Sequence, residues 1–159
     1  MSGDVFPRIS ITRMQNEHVP AVFQLDQASF TLPWSERSYL FEVNKNETSI
    51  PLVALESGVV TGFIVVWQVE DEAHIGTIAV ADASRRKGVA RALIREGLSQ
   101  AYARGARKVF LEVRSGNLAA QTLYLSLGFV NFDVRKKYYV DNQEDAIIML
   151  LDPLKVEEL

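Results

Sequence analysis

The sequence predicts an α/β (α+β) fold: a mixed, mostly antiparallel central sheet of about seven strands with helices on both faces. Three observations predict it. Residues 50–80 hold three strand-like apolar runs joined by short turns, which reads as a meander. A long amphipathic segment from about Arg86 to Arg104 follows, and the apolar run "KVFLEV" comes directly after it, so a strand–helix–strand crossover sits among otherwise antiparallel pairings. The chain has 159 residues, 48% hydrophobic and 23% charged, with no internal repeat or linker-like tract, and reads as a single domain over residues 1–159.

In order along the chain, "RISITR" alternates and predicts a first strand. "NEHVPAVFQLDQASF" opens on Asn16, a good helix cap, and carries Val19, Val22, Phe23 and Phe30 at roughly helical spacing. "TLPWS" breaks that helix, and Ser35 is placed to cap a second short one, "ERSYLFEV". "IPLVALESGVVTGFIVVWQV" is two strands around the turn Glu56-Ser57-Gly58, and "EAHIGTIAV" is the third. In the long helix Val89, Ala90, Leu93, Ile94, Gly97, Leu98 and Ala101 share one half of the wheel, Arg91, Arg95 and Ser99 lie on the other, and Gly105 is the stop. "KVFLEV" has apolar residues on both faces, which predicts burial on both sides. "NLAAQTLYLSL" is a short helix ended by Gly128, and "FVNFDVRKKYYV" with "DAIIMLL" closes the sheet as a strand pair around "DNQED".

Several function classes fall away at this point. A net charge of −3 makes a general nucleic-acid binder a poor fit, so the cations at 85–87 are a local feature. The chain has no cysteine, which removes disulfides, thiolate metal sites and a cysteine nucleophile. No apolar run approaches the roughly 20 residues that span a bilayer, and "MSGDVFPRIS" lacks the apolar core of a signal peptide. A soluble cytoplasmic protein without membrane contact is expected. G-x-x-x-x-G-K-[ST], G-x-G-x-x-G and G-x-S-x-G patterns are missing, and the two histidines, His18 and His74, form no metal motif, so no metal is expected. His74 reads first as a strand residue and second as a reserve base.

The stretch "SRRKGVARAL" concentrates charge where a helix begins. A helix N-terminus already carries about half a positive charge, so Arg85, Arg86 and Lys87 are misplaced for stability. Gly88 removes a side chain and lets a ligand approach the backbone. Exposed N–H groups, a helix dipole and adjacent guanidinium groups together make an anion site suited to phosphate. A solvated basic turn is the alternative.

The runs "IGTIAVADASRRKGVARALI" and "VFLEVRSGNLAAQTLYLSLGF" resemble the acyl-CoA-binding motif, next strand and next helix of the GNAT acetyltransferase superfamily. With "FTLPWSERSY" upstream and "RKKYYVDNQEDAIIML" downstream, the chain is most similar to the RimI-type protein N-terminal acetyltransferases within it. The resemblance implies a GNAT fold and acetyl-CoA as co-substrate. It implies that main-chain N–H groups from Arg86 to Arg91 (Lys87, Gly88, Val89 and Ala90 between them) cradle the diphosphate with Arg85 alongside. It also implies that the edge Ile78-Ala79-Val80 pairs with the pantetheine arm like an added strand. Ala90 stands where a second glycine is common.

Glu112 lies in the apolar "VFLEVR"; a carboxylate there is costly unless paired, for instance with Arg114, or used. The matching RimI-like glutamate acts as general base, directly or through water, and burial would raise its pKa toward a useful range. Asn117 and Tyr124 are seven residues, about two turns, apart and share one side of their helix. As bare residues they read as an N-cap and a core aromatic; the resemblance makes Asn117 a cofactor contact and Tyr124 the acid that protonates the departing thiolate. A main-chain N–H near Val80 would receive the developing oxyanion. Tyr138 and Tyr139, adjacent on an expected strand, point to opposite faces, so only one of them can face a substrate, with core or edge packing as the alternative; the resemblance implies that this hairpin and the "LPWS" loop wall the peptide channel. Trp34 is either the aromatic wall for the first substrate residue or a plug between the first two helices.

The resemblance thus implies acetylation of a protein's N-terminal α-amine, foremost the N-terminal alanine of a small-subunit ribosomal protein, by a monomer or weak dimer. Other first residues, a small-molecule amine, a lysine side chain, or acyl-CoA binding without turnover are the alternatives.

Overall fold

The structure is a computed structural model that describes residues 9–159; residue 8, where the first strand was expected to begin, and most of the run read for a signal peptide lie outside the described residues. Seven strands form one mixed sheet: β1 (Ile9–Arg13), β2 (Ser49–Glu56), β3 (Val59–Val69), β4 (Glu72–Val80), β5 (Lys108–Arg114), β6 (Val130–Arg135) and β7 (Ala146–Leu151). Their order across the sheet is β1-β2-β3-β4-β5-β7-β6. Every neighbouring pair is antiparallel except β4 and β5, which the crossover helix α3 (Val89–Ala103) makes parallel.

The period of two along β2 and β3 sorts their apolar residues onto two faces. Leu52, Ala54, Ile64 and Val66 meet Leu93, Ile94 and Leu98 of α3, with Tyr124 of α4 (Leu118–Ser126) and Leu127 just after it in the same cluster. Val53, Phe63 and Val65 meet Val19 and Val22 of α1 (Val19–Ser29) and Tyr39 of α2 (Glu36–Asn44). Helices therefore cover both faces, as the sequence predicts.

Local chemistry sets the boundaries. Ser35 caps α2 by accepting the Ser38 N–H at 3.1 Å, and Asn117 caps α4 by accepting from Ala120 at 3.1 Å. A short 3-10 turn, Asn16–His18, precedes α1, so Asn16 opens that turn and not the α-helix. The buried stripe of α1 is Val19, Val22 and Asp26; Phe30 lies outside it and is exposed. The long helix starts at Val89, three residues later than expected, because Arg86 at φ 65° and Gly88 at φ 79° are left-handed and cannot belong to it. The three cations therefore sit in a turn ahead of the helix.

Two strand expectations need correction. Burial along β5 alternates: Val109, Leu111 and Val113 are buried while Phe110 and Glu112 are half-buried, so the strand is not enclosed on both sides. On its second face Phe110 meets the exposed Phe132 edge-to-face at 5.7 Å. The strand expected over 129–140 stops at Arg135, where pairing with Ala146 ends. Residues 136–145 form a loop with Lys137 (φ 51°) and Gln143 (φ 61°) left-handed. Tyr138 and Tyr139 thus lie off the strand, and the opposite-face argument does not apply to them.

Candidate active site

The sheet opens at its parallel seam. β4 and β5 pair only from Glu72↔Lys108 to Ile75↔Leu111, and beyond Ile75 the second edge of β4 has no strand partner among the described residues. A bulge shifts the β3–β4 register between Val65 and Val66, at Gly76. A Cβ on Gly76 would lie 2.6 Å from the Trp67 ring, so only glycine lets the indole cover the strand there. Ala81 donates its N–H to Thr61 O on β3 at 2.8 Å. By alternation Ala79 also faces β3, while the main-chain groups of Ile78 and Val80 face the opening. Val80 O accepts Arg85 Nε there at 3.4 Å.

A cavity of about 570 Å³ lies along this opening. Of the residues singled out in the sequence, it brings together Trp34, Ile78, Glu112, Asn117, Tyr124 and Tyr139. Glu112 projects from β5 and accepts the Tyr138 hydroxyl at 2.9 Å. It is half-buried, and it is not the partner of Arg114. Tyr124 is 6% exposed, and no described residue hydrogen-bonds its hydroxyl. Burial pushes its pKa up to about 12, so it holds its proton throughout the neutral range. Asn117 does what its type predicts as a cap and still lines the cavity. Both tyrosines of the pair reach the site, Tyr138 through its hydroxyl on Glu112 and Tyr139 as lining. Trp34 both lines the cavity and packs between helix and sheet, stacked on Trp67 at 5.8 Å with an 8° interplanar angle.

The basic turn lies outside that lining. Arg85 pairs with Asp82 at 3.0 Å and Lys87 lies 3.8 Å from Glu56, so these two cations already have counter-charges. Arg91 donates to Ser126 Oγ at 2.9 Å, and Arg86 is exposed. Ala92 N–H bonds to Gly88 O at 3.0 Å, so the N–H groups of Val89, Ala90 and Arg91 precede the first intrahelical bond. A Cβ on Gly88 would meet nothing within 4 Å. This turn is an open cradle of donors at a helix N-terminus, which fits a diphosphate.

His74 does not line the cavity; it packs edge-to-face on Trp67 at 5.6 Å, and burial lowers its pKa, so it is a neutral packing residue.

Two groups escaped sequence reasoning. Asp26 is completely buried, lines the cavity, and accepts the Trp34 N–H (3.1 Å) and the Tyr39 hydroxyl on Oδ2. Burial raises its pKa and the two bonds oppose that. Its position four and seven residues after buried valines was the available signal. The other is the clamp around Arg114, whose guanidinium bonds Asp141 at 3.0 Å and Glu144 at 3.3 Å and lies 3.9 Å over the Tyr139 ring. Thr31 donates to Asp141 at 2.6 Å and Gly116 N–H to Glu144 at 2.7 Å, and these bonds head the causes that hold both carboxyls below their usual range. The clamp joins the β6–β7 loop to the segment between α1 and α2.

The acetyltransferase (GNAT) family model matches residues 19–129. A ribosomal protein bS18-alanine N-acetyltransferase of Escherichia coli strain K12 is 35% identical over 144 residues, covering 89% of this chain and 96% of that protein. The crystal structure of the ribosomal-protein-S18-alanine N-acetyltransferase from Escherichia coli superposes with a TM-score of 0.84 at 33% identity, over 93% of this chain and 96% of the other. The Arabidopsis thaliana NAA60 structure in complex with acetyl-CoA, at 18% identity, shares the fold with a TM-score of 0.84 over 91% of this chain and 98% of the other.

Proposed function

This chain belongs to the GNAT acetyltransferase family, and from that premise we propose that it is a single-domain enzyme that moves the acetyl group of acetyl-CoA to the N-terminal α-amine of a protein, foremost the N-terminal alanine of a small-subunit ribosomal protein. The observation that carries the reading is the convergence of Glu112 and Tyr124 on one cavity beside the opened edge of β4. The named relative's substrate supports the choice of alanine. The cytoplasm is the proposed compartment; among the described residues no helix is long and apolar enough to cross a membrane.

The residues divide the work as follows. The donors of Arg86 to Arg91 hold the diphosphate, and the outward groups of Ile78 and Val80 pair with the amide-bearing arm. When bound, acetyl-CoA supplies a thioester carbonyl as the electrophile. An α-amine with a pKa of about 8 is about nine-tenths protonated at pH 7 and has no lone pair to attack with. Glu112 takes that proton, directly or through a water. The nitrogen–carbon bond then forms while a main-chain N–H near Val80 receives the negative charge on oxygen. The carbon–sulfur bond breaks, the Tyr124 hydroxyl gives its proton to sulfur, and the remaining amine proton restores the tyrosine. The products are an acetylated amide, free thiol and one proton released to solvent. Asn117 borders the cofactor side, and Trp34, Tyr138 and Tyr139 border the peptide.

The test is a panel of short peptides differing in residue one, run beside free amines and a peptide with an internal lysine. Preferential turnover of alanine-initiated peptides is expected. Equal rates on free amines overturn the protein-substrate reading, and cofactor binding without turnover of any peptide overturns the catalytic one.

A further inference from the structure

The segment 31–35 between α1 and α2 has no regular hydrogen bonding of its own, yet it supplies Trp34 to the cavity. On its outer side Thr31 is tied to Asp141. On its inner side the tie is Asp26, whose Oδ2 accepts the main-chain N–H of Trp34 at 3.1 Å and also the hydroxyl of Tyr39. The Tyr39 ring lies 5.3 Å from that of Trp34. One carboxylate oxygen thus fixes the backbone of Trp34 and the aromatic ring that supports it.

As a stabilising device this is a poor choice. Asp26 is 0% exposed, and its second oxygen, Oδ1, is buried without a partner among the described residues. An apolar side chain of the same size would avoid the desolvation cost of a buried carboxylate. What an apolar residue cannot do is accept two hydrogen bonds and hold Trp34 at the cavity.

We propose that Asp26 is a positioning residue which, through its bonds to Trp34 and Tyr39, fixes the wall of the pocket for the first substrate residue and so sets which N-terminal residue the enzyme accepts. This rests on the N-terminal acetylation reading above.

The chain has two tryptophans, Trp34 and Trp67, and they are the stacked pair. Their near-ultraviolet circular dichroism and fluorescence therefore read the position of Trp34 with no substrate present. Asp26→Leu fills the volume and removes the buried charge together with the acceptor, and its far-ultraviolet circular dichroism checks that it folds; Asp26→Asn keeps an acceptor oxygen. Asp26→Leu is expected to lose the tryptophan dichroic signal and to lower the kcat/KM ratio of alanine- to methionine-initiated peptides by about tenfold, the scale of side-chain discrimination in one pocket. The KM for acetyl-CoA stays within about twofold of wild type, because the cofactor contacts are untouched. Asp26→Asn is expected to restore both signals. Asp26→Leu with an unchanged spectrum and unchanged selectivity overturns the proposal, and so does Asp26→Asn behaving like Asp26→Leu. If wild type acetylates no peptide while the spectra still separate the two variants, the acetylation reading falls and the anchoring of Trp34 stands.

Discussion

Replacing Glu112 by glutamine removes a proton acceptor and almost nothing else. The volume is unchanged, and the amide oxygen still accepts the Tyr138 hydroxyl that now sits 2.9 Å from the carboxylate. The side chain is half-buried, so the stability change is about 0.5 kcal/mol or less. A general base is worth about 10²–10⁴ in rate, or about 2.7–5.5 kcal/mol of barrier, and that is the expected loss in kcat/KM at pH 7. The loss has a pH signature. With an amine pKa of about 8, about one-tenth of the substrate is free base at pH 7 and about nine-tenths at pH 9. Solvent deprotonation therefore replaces about tenfold of what Glu112 does, and the gap between wild type and Glu112→Gln narrows by that factor over the two units. The assay is steady-state thiol release with an alanine-initiated peptide at both pH values, with the KM for acetyl-CoA as the control. Wild-type kcat/KM in the variant, or a deficit equal at pH 7 and pH 9, refutes the assignment of Glu112 as the base.

Tyr124→Phe is expected to lower kcat by about 10²–10⁴ with little change in either KM. Because burial holds this hydroxyl near a pKa of about 12, wild-type kcat should show no alkaline fall from it below about pH 11. A variant with undiminished kcat removes it as the acid. Gly88→Val puts a branched side chain at φ 79°, a strain of about 1–3 kcal/mol, and aims it into the open cradle. Calorimetric titration should show acetyl-CoA affinity lowered by about tenfold or more, and unchanged affinity would move the diphosphate elsewhere. Asp141 and Glu144 have depressed pKa values in the folded state, so their contribution is complete above the ordinary carboxylate range and is lost as pH falls through the depressed values. Hydrogen exchange at the Gly116 amide, bonded to Glu144, should therefore stay protected at pH 5 and lose protection only below about pH 4; loss of protection already at pH 5 contradicts the clamp.

Legibility in the sequence followed the physics of each feature. Periodicity and capping chemistry gave away the sheet, the crossover and the ends of α2 and α4, because Ser35 and Asn117 act through bonds three residues away. Glu112, Asn117 and Tyr124 line one cavity because strand β5 and helix α4 are adjacent elements joined by a short turn. The turn at Arg86 and the loop after Arg135 were misplaced for a common reason: Arg86, Lys137 and Gln143 adopt left-handed backbone, which such residues do not advertise. Asp26 was missed because a search for apolar stripes passes over an acid, although that acid sits in register with Val19 and Val22. The Arg114 clamp joins positions up to 113 residues apart, from Thr31 to Glu144, and no local pattern encodes it.

On the function proposed above, the short pairing of β4 with β5 carries a cost for turnover. If the carrier's amide-bearing arm pairs with that unzipped main-chain margin, as proposed, the margin grips the part that every acyl form shares, and spent carrier fits it as well as loaded carrier does. On that reading the expected consequence is throttling by the enzyme's own by-product, with a pace that follows the loaded-to-spent ratio in its surroundings as closely as the supply of peptide.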